Sequence, residues 1–549
     1  MTLTGKDKEF RHPGVSRLDY KTLDMDRVLT AFLARLWHQG RPSRIRRAGE
    51  LSVDDFVSLV TDHPESFAGF DEDTTARWMS THLLDLVNRG KANEAVAGPR
   101  PLHGFTYRFR NSRRSRPYGA DEQLYEMLAA TGGGYALKEL QSFFFSDVDR
   151  QTGRITPGPD TDVETQALFH LVTAVSGQVE DRPDDSKKRT PYPQLCAEPA
   201  RLLADDVMKL LYHRTNMPRT VLVDYLKVLF AFHLGLYHLR MMKLLPAAVE
   251  QGRVEPGCAA GHVGTHHSHP CPHQVHLFVD VDGVPASPAA ALAQRSAGFW
   301  YRRIPAFVQA TYTVRKLDEF ADYLVTKKKK LNYPAGRAHF SVAEVLPLLG
   351  KVQKLERDAY FTSRLAAVLE ADEDLPGEVQ QIVSLHLDDF QTYIETLMYY
   401  RGAYHRGFVV DSLDSMLLKN RAGALLAQPR GTRGERRFIL DSRLLEMLLQ
   451  ISLLRRGSDG NHHTAPLRVD EFLDLLRERY GIHIDRLPRS DGFFGAELAD
   501  QAALRSNFAA FLHRLREIGY YQDMSDAYLT QTITPRYVIG SSTPSEVSR

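Results

Sequence analysis

Residues 217–245 read MPRTVLVDYLKVLFAFHLGLYHLRMMKLL. Val221, Tyr225, Val228, Leu229, Phe232, Leu236 and Leu239 recur at the three-and-four spacing of an α-helix. A helix of about 29 residues would be a rod of ~43 Å at 1.5 Å per residue, and Pro246 is expected to close it. A rod that apolar needs helical neighbours on several sides. The flanking text supplies them: residues 201–213, 292–324, 343–370 and 379–400 all carry helical spacing. The fold class expected is mainly α, a multi-domain helical protein with winged-helix-like domains at both ends and a small Cys/His zinc knuckle.

The ends of the chain share an order of elements. Near the N-terminus, helices are expected over residues 25–38, 52–61 and 74–88, and LHGFTYRF at 102–109 alternates like a strand. Near the C-terminus, helices are expected over 442–454, 468–479 and 501–518, followed by a strand pair, 520–523 and 528–534. The second helices also match in text, LSVDDFVSLV from Leu51 beside LRVDEFLDLL from Leu467. Three helices and a hairpin make a winged helix-turn-helix, which binds DNA in some proteins and protein partners in others.

These readings divide the chain into six units. Residues 21–118 and 440–540 are the winged-helix-like domains. Residues 119–177 form a helical segment broken at Gly132–Gly134, 195–256 the central helical domain, 257–283 the Cys/His knuckle and strand, and 284–428 a further helical domain. Residues 178–194 read as a polar linker, and residues 1–20 as a polar leader. A length of 549 residues suits several domains, and a net charge of +2 points to no partner class by itself. Three cysteines give no disulfide framework. No apolar leader opens the chain and no run approaches the ~18 apolar residues of a membrane span. The expectation is a cytoplasmic protein with no membrane partner.

Residues 258–276, CAAGHVGTHHSHPCPHQVH, hold two of the three cysteines and six of the 22 histidines. Thiolate and imidazole are preferred zinc ligands. The spacing is C-x3-H-x8-C-x-H-x2-H. The set proposed is Cys258, His262, Cys271 and His276, with His273 able to replace His276, holding a structural zinc. A His-rich surface loop without metal is the competing reading. Asp280 and Asp282, in FVDVDG, could instead serve a metal-dependent nuclease, although Asp-Gly more often marks a turn.

Residues 107–116, YRFRNSRRSR, place Arg108, Arg110, Arg113, Arg114 and Arg116 where the N-terminal wing is expected. Arg433, Arg436 and Arg437 lie in a second basic stretch. Guanidinium groups there suit phosphate contacts on double-stranded DNA. Charge runs are also ordinary solvated faces, and for Lys327–Lys330 that plainer reading is preferred. Base-reading candidates on the third helices are Thr75, Arg77 and Ser80, and Arg505, Asn507 and Arg514. His213, His233 and His238 sit among apolar residues and read as core histidines, and Cys196 as a buried structural thiol.

No Walker motif, H-E-x-x-H, G-x-S-x-G or kinase set occurs. The stretch from Asp411, DSLDSMLLKNRAGALLAQPRGTRGERRFILDSRLLEMLLQISLL, and that from Phe278, FVDVDGVPASPAAALAQRSAGFWYRRIPAFVQATYTVRKLDEFADYL, resemble accessory proteins of bacterial anti-phage islands. These include the methylation-associated defense system and, more distantly, a helical component of phosphorothioation-dependent restriction. The resemblance covers about the middle and C-terminal half of the chain. It implies a non-catalytic or uncharacterised subunit beside a DNA methyltransferase, ATPases and nucleases encoded elsewhere, and it carries over no catalytic residue. The function expected is a DNA-binding, non-catalytic subunit working with other defense-system subunits. The alternatives are a protein–protein scaffold and, third, a metal-dependent nuclease.

Overall fold

A helix from Arg219 to Gln251 runs through the middle of the molecule. In the computed structural model, residues 3–540 are described except 4, 47–51, 112, 150–151, 153, 157, 159–160, 176–178, 188–189, 256–272, 372–373, 430–433, 459, 495–496 and 522–530. Leu222, Leu226, Leu229, Phe230, Leu234 and Leu239 of this central helix are fully buried. Helices Glu198–Leu211, Ile304–Thr326, Asp389–Met416 and Ser442–Leu453 pack around it. By length and composition it is apolar enough to cross a membrane, but 78% of its most apolar window is buried inside the protein. The protein is mainly α, as expected, and the described strands form six two-stranded sheets.

Pro246 does not close the central helix, which continues to Gln251. A proline inside a helix lacks the N–H that would bond the carbonyl four residues back. Here that carbonyl, of Met242, accepts from Arg303 Nε at 3.4 Å. An arginine on another helix thus partly fills the gap in the ladder.

The described part of residues 1–20, a stretch expected to be a polar leader, is built into the core. Leu3, Phe10, Val15, Leu18 and Tyr20 are buried. Tyr237 donates its hydroxyl hydrogen to the Val15 carbonyl at 2.7 Å, and Ser16 Oγ lies 3.0 Å from His238 Nε2. Asp7 accepts from Tyr393 at 2.6 Å. The five apolar side chains follow no regular period, so the sequence carries no signal that they are inside. Part of the expected linker is likewise structured: Glu180–Pro183 pairs antiparallel with Ser43–Arg46. The hydrophobic core is continuous from Leu3 to Ile533, with a smaller satellite around Phe278 and Phe493.

At the N-terminal end, α1 (Met25–Trp37) and α2 (Val53–Thr61) lie where expected. Asp24 caps α1, and Ser52 and Asp55 form a reciprocal capping box on α2. The third helix, α3 (Glu72–Trp78), passes through a π-turn, Met79–Leu83, and ends earlier than the spacing predicts. Leu84–Val87 is a strand paired antiparallel with Ala95–Pro99. Residues 104–109, expected as a strand, form a buried 3-10 helix. Phe105, Tyr107 and Phe109 alternate in text but are all buried, together with Thr106 between them.

At the C-terminal end the helices are Ser442–Leu453, Val469–Leu475 with a π-turn to Tyr480, and Leu498–Glu517. Leu467–Arg468 pairs antiparallel with Thr532–Ile533, and Tyr521 bridges to Ile533. Ile482–His483 runs parallel to Leu277–Phe278, tying this end to the flank of the Cys/His segment.

Candidate nucleic-acid interface

The five arginines of residues 108–116 separate into two groups. Arg108 sits over the Phe105 ring at 3.9 Å, with Nε 3.5 Å from Asp181. Arg110 donates to the Ser43 carbonyl at 3.0 Å, and burial lowers its pKa. Both therefore hold the 3-10 helix against the Ser43–Arg46 and Glu180–Pro183 strands. Arg113 and Arg116 are exposed and Arg114 half-buried. Among the described residues none of these three side chains makes a hydrogen bond or ion pair. They follow the 3-10 helix rather than a hairpin. The hairpin itself turns at residues 88–94, where Arg89 and Lys91 are exposed. That turn ends 13 residues before the stretch, 107–116, where the wing is expected.

The second basic stretch is held internally where it is described. Arg436 grips Asp414 with both arms, at 2.9 and 2.8 Å, and Tyr301 donates to the same carboxylate at 2.5 Å. Arg437 is 6% exposed, 3.2 Å from Asp280, and donates to the Gly283 carbonyl at 2.9 Å. Asp280 is itself buried, and burial raises its pKa. Arg433 lies outside the described residues.

The third helices place their candidates unequally. Arg77 and Arg505 are exposed, and Ser80 is half-buried. Thr75 is buried, donating to the Asp71 carbonyl at 2.7 Å. Arg514 donates to Ser442 at 3.0 Å. Asn507 is fully buried and works as a backbone clamp. Its amide nitrogen donates to the carbonyls of Val279 and Ile484, both at 2.9 Å, and its oxygen accepts from Val281 N at 2.8 Å. Asn507 is thus closed to a base edge.

Of the expected metal ligands, Cys258, His262 and Cys271 lie outside the described residues. His273 Nε2 is 3.0 Å from Glu255. His276 Nδ1 is 3.1 Å from His483 Nε2, and burial lowers the pKa of both rings, that of His483 to about 3. His483 is more than 200 positions away in the text, so spacing gave no hint of this neighbour. Among the described residues no group of three or more His, Cys, Asp or Glu could hold a metal. Cys196 is buried, and the core histidines have internal partners: Gln450 O for His213 at 3.2 Å, Asp206 for His233 at 2.9 Å, and Leu234 O for His238 at 2.8 Å.

The family model for methylation-associated defense system protein MAD7 matches residues 5–537. The chain belongs to that family. No curated protein and no solved structure matches it. Membership spans the N-terminal end as well as the middle and C-terminal half from which the resemblance was drawn. It makes the chain a defense-system protein.

Proposed function

We propose that this member of the family is a DNA-binding, non-catalytic subunit of its defense system. One observation carries the reading: Arg113 and Arg114 are adjacent cations whose side chains have no partner among the described residues, on a molecule whose other described arginines are mostly paired. Unpaired guanidinium groups are what phosphate contact requires. The order of elements at each end supports a winged-helix-like organisation. At the C-terminus the sheet order is Leu467–Arg468, Thr532–Ile533, then Tyr521, behind three helices. At the N-terminus three helices precede the Leu84–Val87 and Ala95–Pro99 hairpin. A zinc held by Cys258, His262, Cys271 and His276 or His273 is kept as a structural proposal, with other defense subunits as partners in the cytoplasm. The test is fluorescence anisotropy with a labelled duplex across a salt series. Arg113→Ala combined with Arg114→Ala should flatten the log–log salt slope by roughly 2. An unchanged slope removes these residues from the interface.

A scaffold role is the second reading, and a separate observation favours it. Val352 and Leu355 are 86% and 84% exposed, and Leu385 is 64% exposed. A cleft of about 900 Å3 nearby has Leu349, Leu387, Phe390 and Ile394 in its wall. Exposed apolar groups around a groove suit a partner subunit. This reading takes over if duplex DNA does not bind.

A further inference from the structure

A cleft of about 970 Å3 opens between the N-terminal segment, residues 116–122, residues 190–192 and the Asp389–Met416 helix. It is wide enough for a small ligand. Six cationic side chains line it, Lys8, Arg11, Arg17, Lys21, Arg116 and Arg315, against the acids Glu9, Asp19 and Glu122. Each acid already has a partner: Arg315 for Glu9, Arg11 for Asp19, and Arg17 for Glu122 at 3.1 Å. Lys8, Lys21 and Arg116 make no ion pair or hydrogen bond among the described residues. The positive excess therefore faces the cleft unneutralised.

Aromatic faces lie between these cations. Tyr404 is 51% exposed and meets the Phe408 ring edge-on at 4.6 Å. Lys21 Nζ sits 3.3 Å from the Phe408 ring centre. Phe10 stacks on His405 at 4.3 Å, and burial with Arg401 nearby lowers the His405 pKa to about 4, so that ring is neutral at pH 7. Tyr20 is 4% exposed and lines the cleft, with its hydroxyl buried beside Ser16.

The backbone is held in uncommon conformations at the same place. Tyr20 and Tyr118, both in the cleft wall, have φ of 48° and 50°. Left-handed non-glycine residues cost energy and gather at functional sites. Gly119 follows with φ 81°, and a Cβ there would lie 2.1 Å from the Arg17 carbonyl oxygen. Asp19 N donates to the Tyr118 carbonyl at 2.8 Å. Two walls of the cleft are therefore fastened together at their base.

We propose that this cleft binds a nucleobase carrying phosphate, as a free mononucleotide or at the end of a single strand. Tyr404 and Phe408 give the base a face. Lys8, Lys21 and Arg116 pair with the phosphate. Alternating cations and aromatic faces are how proteins hold unstacked bases. A base inside a duplex has both faces covered, so this site is separate from the duplex contacts of Arg113 and Arg114 and does not depend on them.

The test uses the full chain and two probes, etheno-adenosine 5′-monophosphate and a short labelled oligothymidylate. Saturable binding of either supports the proposal, and which one binds tells the free nucleotide from the strand. Tyr404→Ala at an exposed position with Lys21→Glu at a half-buried one should weaken binding about tenfold or more, and Tyr404→Phe should keep it. Binding of the duplex probe in the Tyr404 and Lys21 variant should be unchanged. The proposal is overturned if neither probe binds, or if the double variant binds both as the unaltered chain does.

Discussion

Asn507 has its amide committed to three backbone groups of Val279, Val281 and Ile484. Removing a buried partner leaves those groups without hydrogen bonds, which costs more than the bonds themselves contribute. Asn507→Ala is therefore expected to destabilise the fold by about 2–5 kcal/mol while leaving the salt slope of duplex binding as it was. Thermal unfolding with anisotropy on the same preparation checks both. A flatter slope with an unchanged unfolding midpoint would return Asn507 to the DNA surface. Buried histidines give a second residue-scale expectation. His12 and His238 are held to about 4 by burial, against an ordinary value of 6.5. Between those two pH values the unfolded chain binds protons that the folded chain refuses. Stability is thus fully present above pH 6.5 and falls as the pH drops toward 4, by on the order of 3 kcal/mol for each ring. His238→Gln should make the unfolding midpoint less sensitive to pH over that window. Equal sensitivity would mean that other groups govern it.

Elements were legible where periodicity acts alone. The central helix, α1, α2 and the helices of the C-terminal end stand within a few residues of their spacing. The failures have physical causes. Pro246 was expected to end a helix, but Arg303, from a distant part of the chain, supplies a donor to Met242. Residues 102–109 alternate because aromatic residues fall at every second position, yet a tight 3-10 turn buries them all. The N-terminal segment has no period to read, since its apolar residues fit pockets made by the rest of the chain. The cleft they help to build was invisible for the same reason: its residues come from six separate stretches. Local composition did single out the Cys/His segment. Its expected outcome is one zinc per chain by metal analysis, lost in Cys258→Ser with Cys271→Ser. A metal content near zero in protein purified with zinc present would favour the plain His-rich loop.

At the scale of the whole molecule, the continuous core joins stretches that the text presents as separate domains. The buried carboxylate of Asp206 gathers His233 and Tyr480, both at 2.9 Å, and Arg479. It thereby links the central helix to the C-terminal end. Lys243 reaches Asp491 at 2.9 Å beside the flank of the Cys/His segment. Such long-range ties join both ends of the chain to the middle. The proposed function is duplex DNA binding through phosphate contacts. Anisotropy of the purified full chain with a labelled duplex, titrated from low to high salt, tests it most directly. Tight binding at low salt is expected, with a steep negative log–log slope that flattens when Arg113 and Arg114 are replaced. No binding at low salt would contradict it and leave the scaffold reading in its place.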